Sequence, residues 1–173
     1  MKKFFEKLNI HSQKGVTIIE LLIYMGILVV LISVLTSIFI SALDVQSEST
    51  ASSSVEQDGN YILARLAYDI HRAQSISSPA LGTTANSFTI IIEGVNYIYS
   101  IDMNDNLILT NDLGVNNLNN FDTKISDLTV EHLGNAGGVE DALNISFTLS
   151  SRTKKVSGPE VRDYRTNLSL RRQ

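Results

Sequence analysis

The sequence predicts an α+β protein in which a long N-terminal α-helix packs on a C-terminal antiparallel β-sheet. Three observations predict this fold class. Residues 16–40 form a predominantly apolar run with a single charge, and apolar residues then recur every three or four positions as far as Ala73. Beyond residue 86 the pattern changes to the alternation that is typical of strands. The chain therefore divides into a helical part followed by a sheet part.

The apolar run predicts a membrane-spanning helix over about residues 17–41. At about 1.5 Å of rise per residue, a helix of this length crosses the hydrocarbon core of a bilayer. Four lysines and one glutamate precede the run, and the next charges after it are acidic. By the positive-inside rule, the N-terminus lies in the cytoplasm. We therefore expect a single-pass protein of the cytoplasmic membrane with an extracytoplasmic C-terminal domain.

The second half of the helix is predicted to be amphipathic. An apolar stripe three or four residues apart marks one face, and Leu63 widens it. Arg65, Asp69 and Arg72 fall on another face, where we expect a solvated row of ion pairs. Together with the apolar run, this predicts one helix over residues 16–78 that ends at Pro79 and is weakest in the serine-rich stretch and at Gly59. The stripe consists of Val55, Gly59, Ile62, Leu66, Ile70 and Ala73.

Residues 79–173 are predicted to form the sheet domain. "SFTIIIE" and "VNYIYSI" flank Gly94 and predict a hairpin, and "DMNDN" predicts a turn before "LILT". An asparagine-rich loop, "NDLGVNNLNN", then leads to the strands "ISDLTVEHL" and "ALNISFTLS", and after a loop at "TKKVSGP" the strand "VRDYRTNLSLR" closes the chain. We expect four to six antiparallel strands. One face of "ALNISFTLS" carries Leu143, Ile145, Phe147 and Leu149.

Composition argues against several classes of site. The chain has no cysteine, which rules out disulfides, thiolate metal sites and a cysteine nucleophile. The net charge of −4 argues against direct nucleic-acid binding, and the basic C-terminal stretch is predicted to pack as a strand beside acidic neighbours.

The histidines outside the leader and the acidic turn "DMNDN" do not complete a functional motif. His71 and His132 stand in no metal-ligand spacing and are predicted at the surface or at a helix end. "DMNDN" begins like a calcium loop but lacks the required glycine and closing glutamate, so a solvated turn is favoured. We expect no cofactor, no metal and no enzymatic activity.

The start of the apolar run raises a specific question, because Glu20 places a carboxylate in a membrane-length segment. Such a charge costs about 2.5–3.5 kcal/mol at the centre of a spanning helix. Gly15 is a small residue between the basic leader and the run, and a cut between Gly15 and Val16 would leave the helix on the mature chain. Glu20 would then lie in the first helical turn, near the positive end of the helix dipole. In an assembly it could pair with the Val16 ammonium of a neighbouring subunit and select axial register.

The stretch "KGVTIIELL" resembles the cleavage and methylation signal of type IV pilins and type II secretion pseudopilins. The match covers Gly15, Thr17, Glu20 and the apolar run, with Val16 in place of the family's usual phenylalanine. The resemblance implies that residues 1–15 are a leader removed by a membrane aspartyl prepilin peptidase, which then methylates Val16. It also implies that Glu20 and the neighbouring Thr17 guide assembly into a filament.

Two further stretches are similar to particular members of that family. "ILARLAYDIHRAQSI" and the ending "NISFTLSSRTKKVSGPEVRDYRTNLSLR" resemble J-type minor pseudopilins and W-like minor pilins. The resemblance implies a structural subunit whose partners are the prepilin peptidase, other pilins or pseudopilins, membrane lipid, and an assembly platform with an ATPase. The chain departs from many major pilins in lacking cysteine and the helix-kinking proline, near whose place Ser37 stands.

Two other classes remain open. A single-pass anchored binding or sensor domain would keep residues 1–15 and use its lysines only to set topology. An anchored extracellular enzyme is a third class, for which no constellation of residues argues. The host system could serve secretion, adhesion, motility or DNA uptake.

Overall fold

The computed structural model describes residues 15–134, 141–155 and 158–170, and it has the predicted α+β layout. One long helix, α1 (Ile18–Arg72), packs on two antiparallel sheets. The chain divides into two compact units, Met1–Ala42 and Leu43–Gln173. The boundary between the units falls within α1.

In the first unit, the described part of α1 exposes almost every side chain. This stretch is long and apolar enough to cross a membrane. The hydroxyl groups of Ser33, Thr36, Ser37 and Ser41 each donate to the carbonyl oxygen four residues earlier, at 2.9–3.0 Å. These hydroxyls are therefore satisfied within the helix itself, as an apolar environment requires.

In the second unit, the predicted apolar stripe of α1 is confirmed. All six of its residues are buried, five of them in α1 and Ala73 just after its end, and Leu63 packs against them. The helix ends earlier than predicted, at Arg72 instead of residue 78, and Ser75–Ser78 is a strand. The reason is tertiary: the Gln74 amide donates to the Ile91 carbonyl oxygen at 2.8 Å, and the strand that follows pairs with Phe88–Ile92.

Nine strands follow the helix in the described residues, and they form two sheets where one sheet of four to six strands was predicted. In chain order the strands are β1 (Ser75–Ser78), β2 (Thr84–Ala85), β3 (Phe88–Ile92), β4 (Val95–Ile101), β5 (Leu107–Asn111), β6 (Gly114–Asn117), β7 (Thr123–Leu133), β8 (Ala142–Lys155) and β9 (Gly158–Ser169). The first sheet has the order β1-β3-β4-β5-β6 and the second the order β2-β7-β8-β9. The short strands β2 and β6 lie in segments whose composition is typical of turns, and each is held in an extended conformation by pairing with a neighbouring strand.

The predicted hairpin at Gly94 is confirmed. β3 and β4 are joined by Glu93 and Gly94, whose φ angles of 53° and 80° fit a tight turn between twisted strands. The predicted loop at "TKKVSGP" is much shorter in the structure, because β8 continues to Lys155 and pairs with β9 from Gly158 onward. Residues 156 and 157 lie outside the described part.

The core of the second unit lies between α1 and the inner faces of both sheets. The first sheet contributes the alternating residues Phe88, Ile90 and Ile92 of β3. The second sheet contributes the predicted apolar face of β8, all of which is buried: Leu143, Ile145, Phe147 and Leu149.

Candidate functional site

The candidate site at the start of α1 is built on an N-terminal cap. Thr17 precedes the first helical residue, and its Oγ1 accepts a hydrogen bond from the Glu20 amide at 3.3 Å. The Thr17 carbonyl accepts the first intrahelical bond, from the Leu21 amide at 3.1 Å. Threonine followed three residues later by glutamate is the capping-box pattern that begins a helix. The structure therefore places Thr17 and Glu20 together in the first turn.

The Glu20 carboxylate has a partner that the sequence analysis missed. The Tyr24 hydroxyl donates a hydrogen bond to Glu20 Oε1 at 2.8 Å. The spacing of four residues places both side chains on one face of the helix, and this spacing was the signal that could have revealed the contact. Glu20 is half-buried, whereas the residues around it are exposed.

The peptide bond between Gly15 and Val16 is accessible in the described structure. A Cβ atom built on Gly15 would meet nothing within 4 Å, and the Val16 side chain is 65% exposed. Lys14 and the rest of the basic leader lie outside the described residues.

Beyond the cap, the first unit carries a long exposed apolar surface. Its large side chains are between 47% and 83% exposed from Ile18 to Ile40. Apolar surface of this extent on a monomer marks contact with lipid or with other proteins. The predicted apolar run is therefore a surface without any partner inside the described chain.

In the second unit, Asp69 is buried, which corrects the predicted solvated row of ion pairs. Its side chain is 1% exposed, and its Oδ2 accepts bonds from Arg65 Nε at 2.6 Å and from the Tyr99 hydroxyl at 2.5 Å. Tyr99 comes from β4 and stacks on Phe88 with the ring centroids 4.5 Å apart. Burial and the bond to Asp69 raise the pKa of Tyr99. This cluster joins α1 to the first sheet, a contact that only the tertiary fold creates.

His132 is also buried, where a surface or helix-end position was predicted. Its Nδ1 lies 2.8 Å from the Pro79 carbonyl oxygen, so this nitrogen carries the proton and donates. Its Nε2 lies 3.6 Å from Asp141 Oδ1. His71 is exposed near the end of α1, as predicted. His132 is therefore part of the packing between β7 and the segment before β2.

The turn at "DMNDN" forms as predicted. The Asp102 carboxylate accepts bonds from the amides of Asn104 and Asn106, at 2.9 and 2.8 Å. These bonds, the Asn106 amide first among them, lower the pKa of Asp102. The carboxylate is thus occupied in holding the turn. Among the residues the structure describes, no cluster of three or more metal-ligating side chains occurs.

The basic C-terminal stretch packs as a strand beside acidic neighbours, as predicted. Arg162 of β9 lies 3.5 Å from Glu56 of α1, and Glu160 accepts bonds from Lys155 and Arg162. The bond from Lys155, followed by that from Arg162, lowers the pKa of Glu160. Lys155 and Arg162 therefore face acidic partners within the second unit.

Comparison of the chain with models of known families, with curated proteins and with solved structures finds no match.

Proposed function

We propose that this chain is a structural subunit, of the minor class, of a type IV pilus or a type II secretion pseudopilus. The observation that carries the proposal is the capped helix start. Thr17 and Glu20 form the first turn, which begins two residues after Gly15, at the start of a helix whose next residues expose their apolar side chains. The rest of the proposal follows from what such a helix needs.

The exposed apolar surface needs an apolar environment. Burial of apolar surface contributes roughly 25 cal/mol per Å², so a bilayer or a bundle of similar helices would stabilise this segment strongly. A filament subunit meets both environments in turn. It is held in the membrane before assembly and is packed among like helices afterwards.

Cleavage after Gly15 would create a cationic partner for Glu20. It would free an ammonium group on Val16, which prepilin peptidase would also methylate under this proposal. Glu20 lies one turn further along the helix, and a buried carboxylate in an assembly needs a cation nearby. The Val16 ammonium of a neighbouring subunit is a suitable cation, and an ATPase-driven platform would lift the helix to meet it. The subunit itself catalyses nothing.

The N-terminus of the native protein tests this proposal. Mass spectrometry of the protein extracted from its own membrane is expected to show a chain that begins at Val16 with a methylated amine. A bulky replacement such as Gly15→Leu is expected to leave the full-length chain in the membrane. Finding only full-length wild-type protein, or a cut near Ala42, would overturn the proposal.

The second candidate function is a single-pass membrane-anchored binding or sensor domain. The compact second unit, Leu43–Gln173, is the observation that favours it, because such a unit needs no assembly to fold. This candidate predicts an intact mass that includes residues 1–15. The same mass measurement therefore separates the two candidates.

A further inference from the structure

We propose that Tyr24 is a positioning residue, which holds the Glu20 carboxylate in one orientation for its cationic partner. The inference rests on the proposed function, because it assumes that Glu20 is the group that selects a neighbour. It adds Tyr24 to that site, and its basis is the 2.8 Å bond from the Tyr24 hydroxyl to Glu20 Oε1.

The geometry of a helix explains why Tyr24 reaches Glu20. Long side chains on a helix point back toward its N-terminus and cover the turn four residues earlier. Tyr24 stands one turn deeper in the apolar segment than Glu20 and extends back to it. An aromatic ring has only two side-chain torsions, so it fixes its hydroxyl at small entropic cost.

The surroundings of the pair give this bond its importance. In water, a bond between helix neighbours four apart contributes little to stability. Here the neighbouring side chains are apolar, as at Ile23 and Ile27, and in an apolar environment a carboxylate without a donor is costly. Tyr24 supplies that donor within the same chain.

Tyr24 differs from the other hydroxyl-bearing residues deeper in the first unit. Ser33, Thr36, Ser37 and Ser41 all donate to backbone carbonyls of their own helix, whereas Tyr24 donates to a side chain. Because Tyr24 occupies Oε1, the carboxylate presents Oε2 to a partner from a restricted set of orientations. A partner then binds a carboxylate that is already oriented, so less of the binding free energy is lost in restricting the Glu20 side chain.

Infrared spectroscopy of the full-length chain in phospholipid vesicles tests the contact directly. The difference spectrum between wild type and Glu20→Gln isolates the carboxylate stretching band of Glu20. Tyr24→Phe, which removes only the hydroxyl, is expected to shift that band. Ser33→Ala is the matched control, since it removes a hydroxyl from the same segment, and it is expected to leave the band in place. An unshifted band in Tyr24→Phe would overturn the proposal.

Co-purification with the other pilin-like subunits tests the consequence. Tyr24→Phe is expected to lower recovery about three- to tenfold, which corresponds to one net hydrogen bond. In the Glu20→Gln background the same change is expected to cause no further loss. An equal loss in both backgrounds would show that Tyr24 acts by packing and would overturn the proposal.

The two arms separate this inference from the proposed function. The infrared arm needs neither cleavage nor assembly. A shifted band in a protein that is never cut at Gly15 would uphold the positioning of Glu20 by Tyr24 and overturn only the pilin function.

Discussion

The ring of Tyr164 in β9 lies directly over the backbone of Gly59 in α1. The Tyr164 hydroxyl donates to the Val55 carbonyl oxygen at 2.9 Å, and the ring stacks on Phe147 with centroids 5.3 Å apart. A Cβ atom at position 59 would overlap the ring. Gly59 therefore stands where the helix and the second sheet approach each other closely.

A fragment of residues 43–173 is expected to be soluble and to unfold cooperatively. It contains the whole second unit, including the buried face of α1. A fragment of residues 79–173 loses that face and β1, so it is expected to expose the sheet and aggregate. Urea unfolding and sedimentation of both fragments at equal concentration check this. Equal solubility of the shorter fragment would contradict the packing of α1 on the sheets.

Gly59→Ala is expected to destabilise the 43–173 fragment by about 1–3 kcal/mol, the usual cost of overpacking. The added methyl group displaces the Tyr164 ring, and this outweighs the gain of about 1 kcal/mol in helix propensity. In a Tyr164→Ala background the overlap is gone, so the same change is expected to stabilise. Urea unfolding measures both effects. Asn60→Ala, at an exposed position of the same helix, is the control for helix propensity alone and is expected to stabilise slightly. Stabilisation in the wild-type background would refute the close approach.

Asp69 and Tyr99 are expected to be strongly coupled. Asp69→Ala leaves the buried Tyr99 hydroxyl without its acceptor, and such a loss costs about 1–3 kcal/mol. In the Tyr99→Phe background the hydroxyl is already absent, so the additional cost of Asp69→Ala should be smaller. A double-mutant cycle by urea unfolding gives the coupling free energy. Strict additivity would mean that the bond contributes nothing to stability.

Alkaline pH is expected to weaken the fold through Tyr99. Its pKa is raised in the folded state, so folded Tyr99 keeps its proton where an unfolded tyrosine loses it, above about pH 10. The stabilisation is fully present below pH 10 and is lost as the pH rises toward the folded pKa, at up to about 1.4 kcal/mol per pH unit. Unfolding free energies of wild type and Tyr99→Phe between pH 8 and 11 check this. Parallel pH profiles would contradict it.

Glu20→Ala is expected to be inserted and cleaved normally but to fail in assembly. The change removes a charge from the apolar segment, and the proposed cut after Gly15 lies a full helical turn away. The Val16 ammonium of a neighbour would lose its buried partner, which typically costs about 3–5 kcal/mol. Glu20→Asp keeps the charge with a shorter reach and should be intermediate.

Co-purification with the other pilin-like subunits, at equal levels of processed protein in the membrane, measures this effect. Full recovery of Glu20→Ala would show that the carboxylate does not select the register.

Local sequence was sufficient where the period of a single helix or strand determines which of its residues face the core. The stripe from Val55 to Ala73, the alternation of Leu143 to Leu149 and the turn at Gly94 were all predicted, because helix and strand periods fix which side chains share a face. Thr17 and Glu20 could be placed in one turn for the same reason. The Tyr24 contact, four residues on, was also within reach of local reasoning.

Tertiary structure alone decided the features that depend on distant partners. Asp69 is charged and looks solvated in sequence, yet it is buried because Tyr99, 30 residues away, supplies a donor. In the sequence Gly59 reads as a helix-weakening residue, but the Tyr164 ring occupies the space that a side chain at position 59 would fill. The Tyr164 hydroxyl donates to a carbonyl 109 residues earlier in the chain. The helix ends at Arg72 because β3 offers backbone partners to the residues after it. Periodicity reports the face a residue occupies, whereas burial of a polar or small residue depends on what the rest of the chain brings to that face.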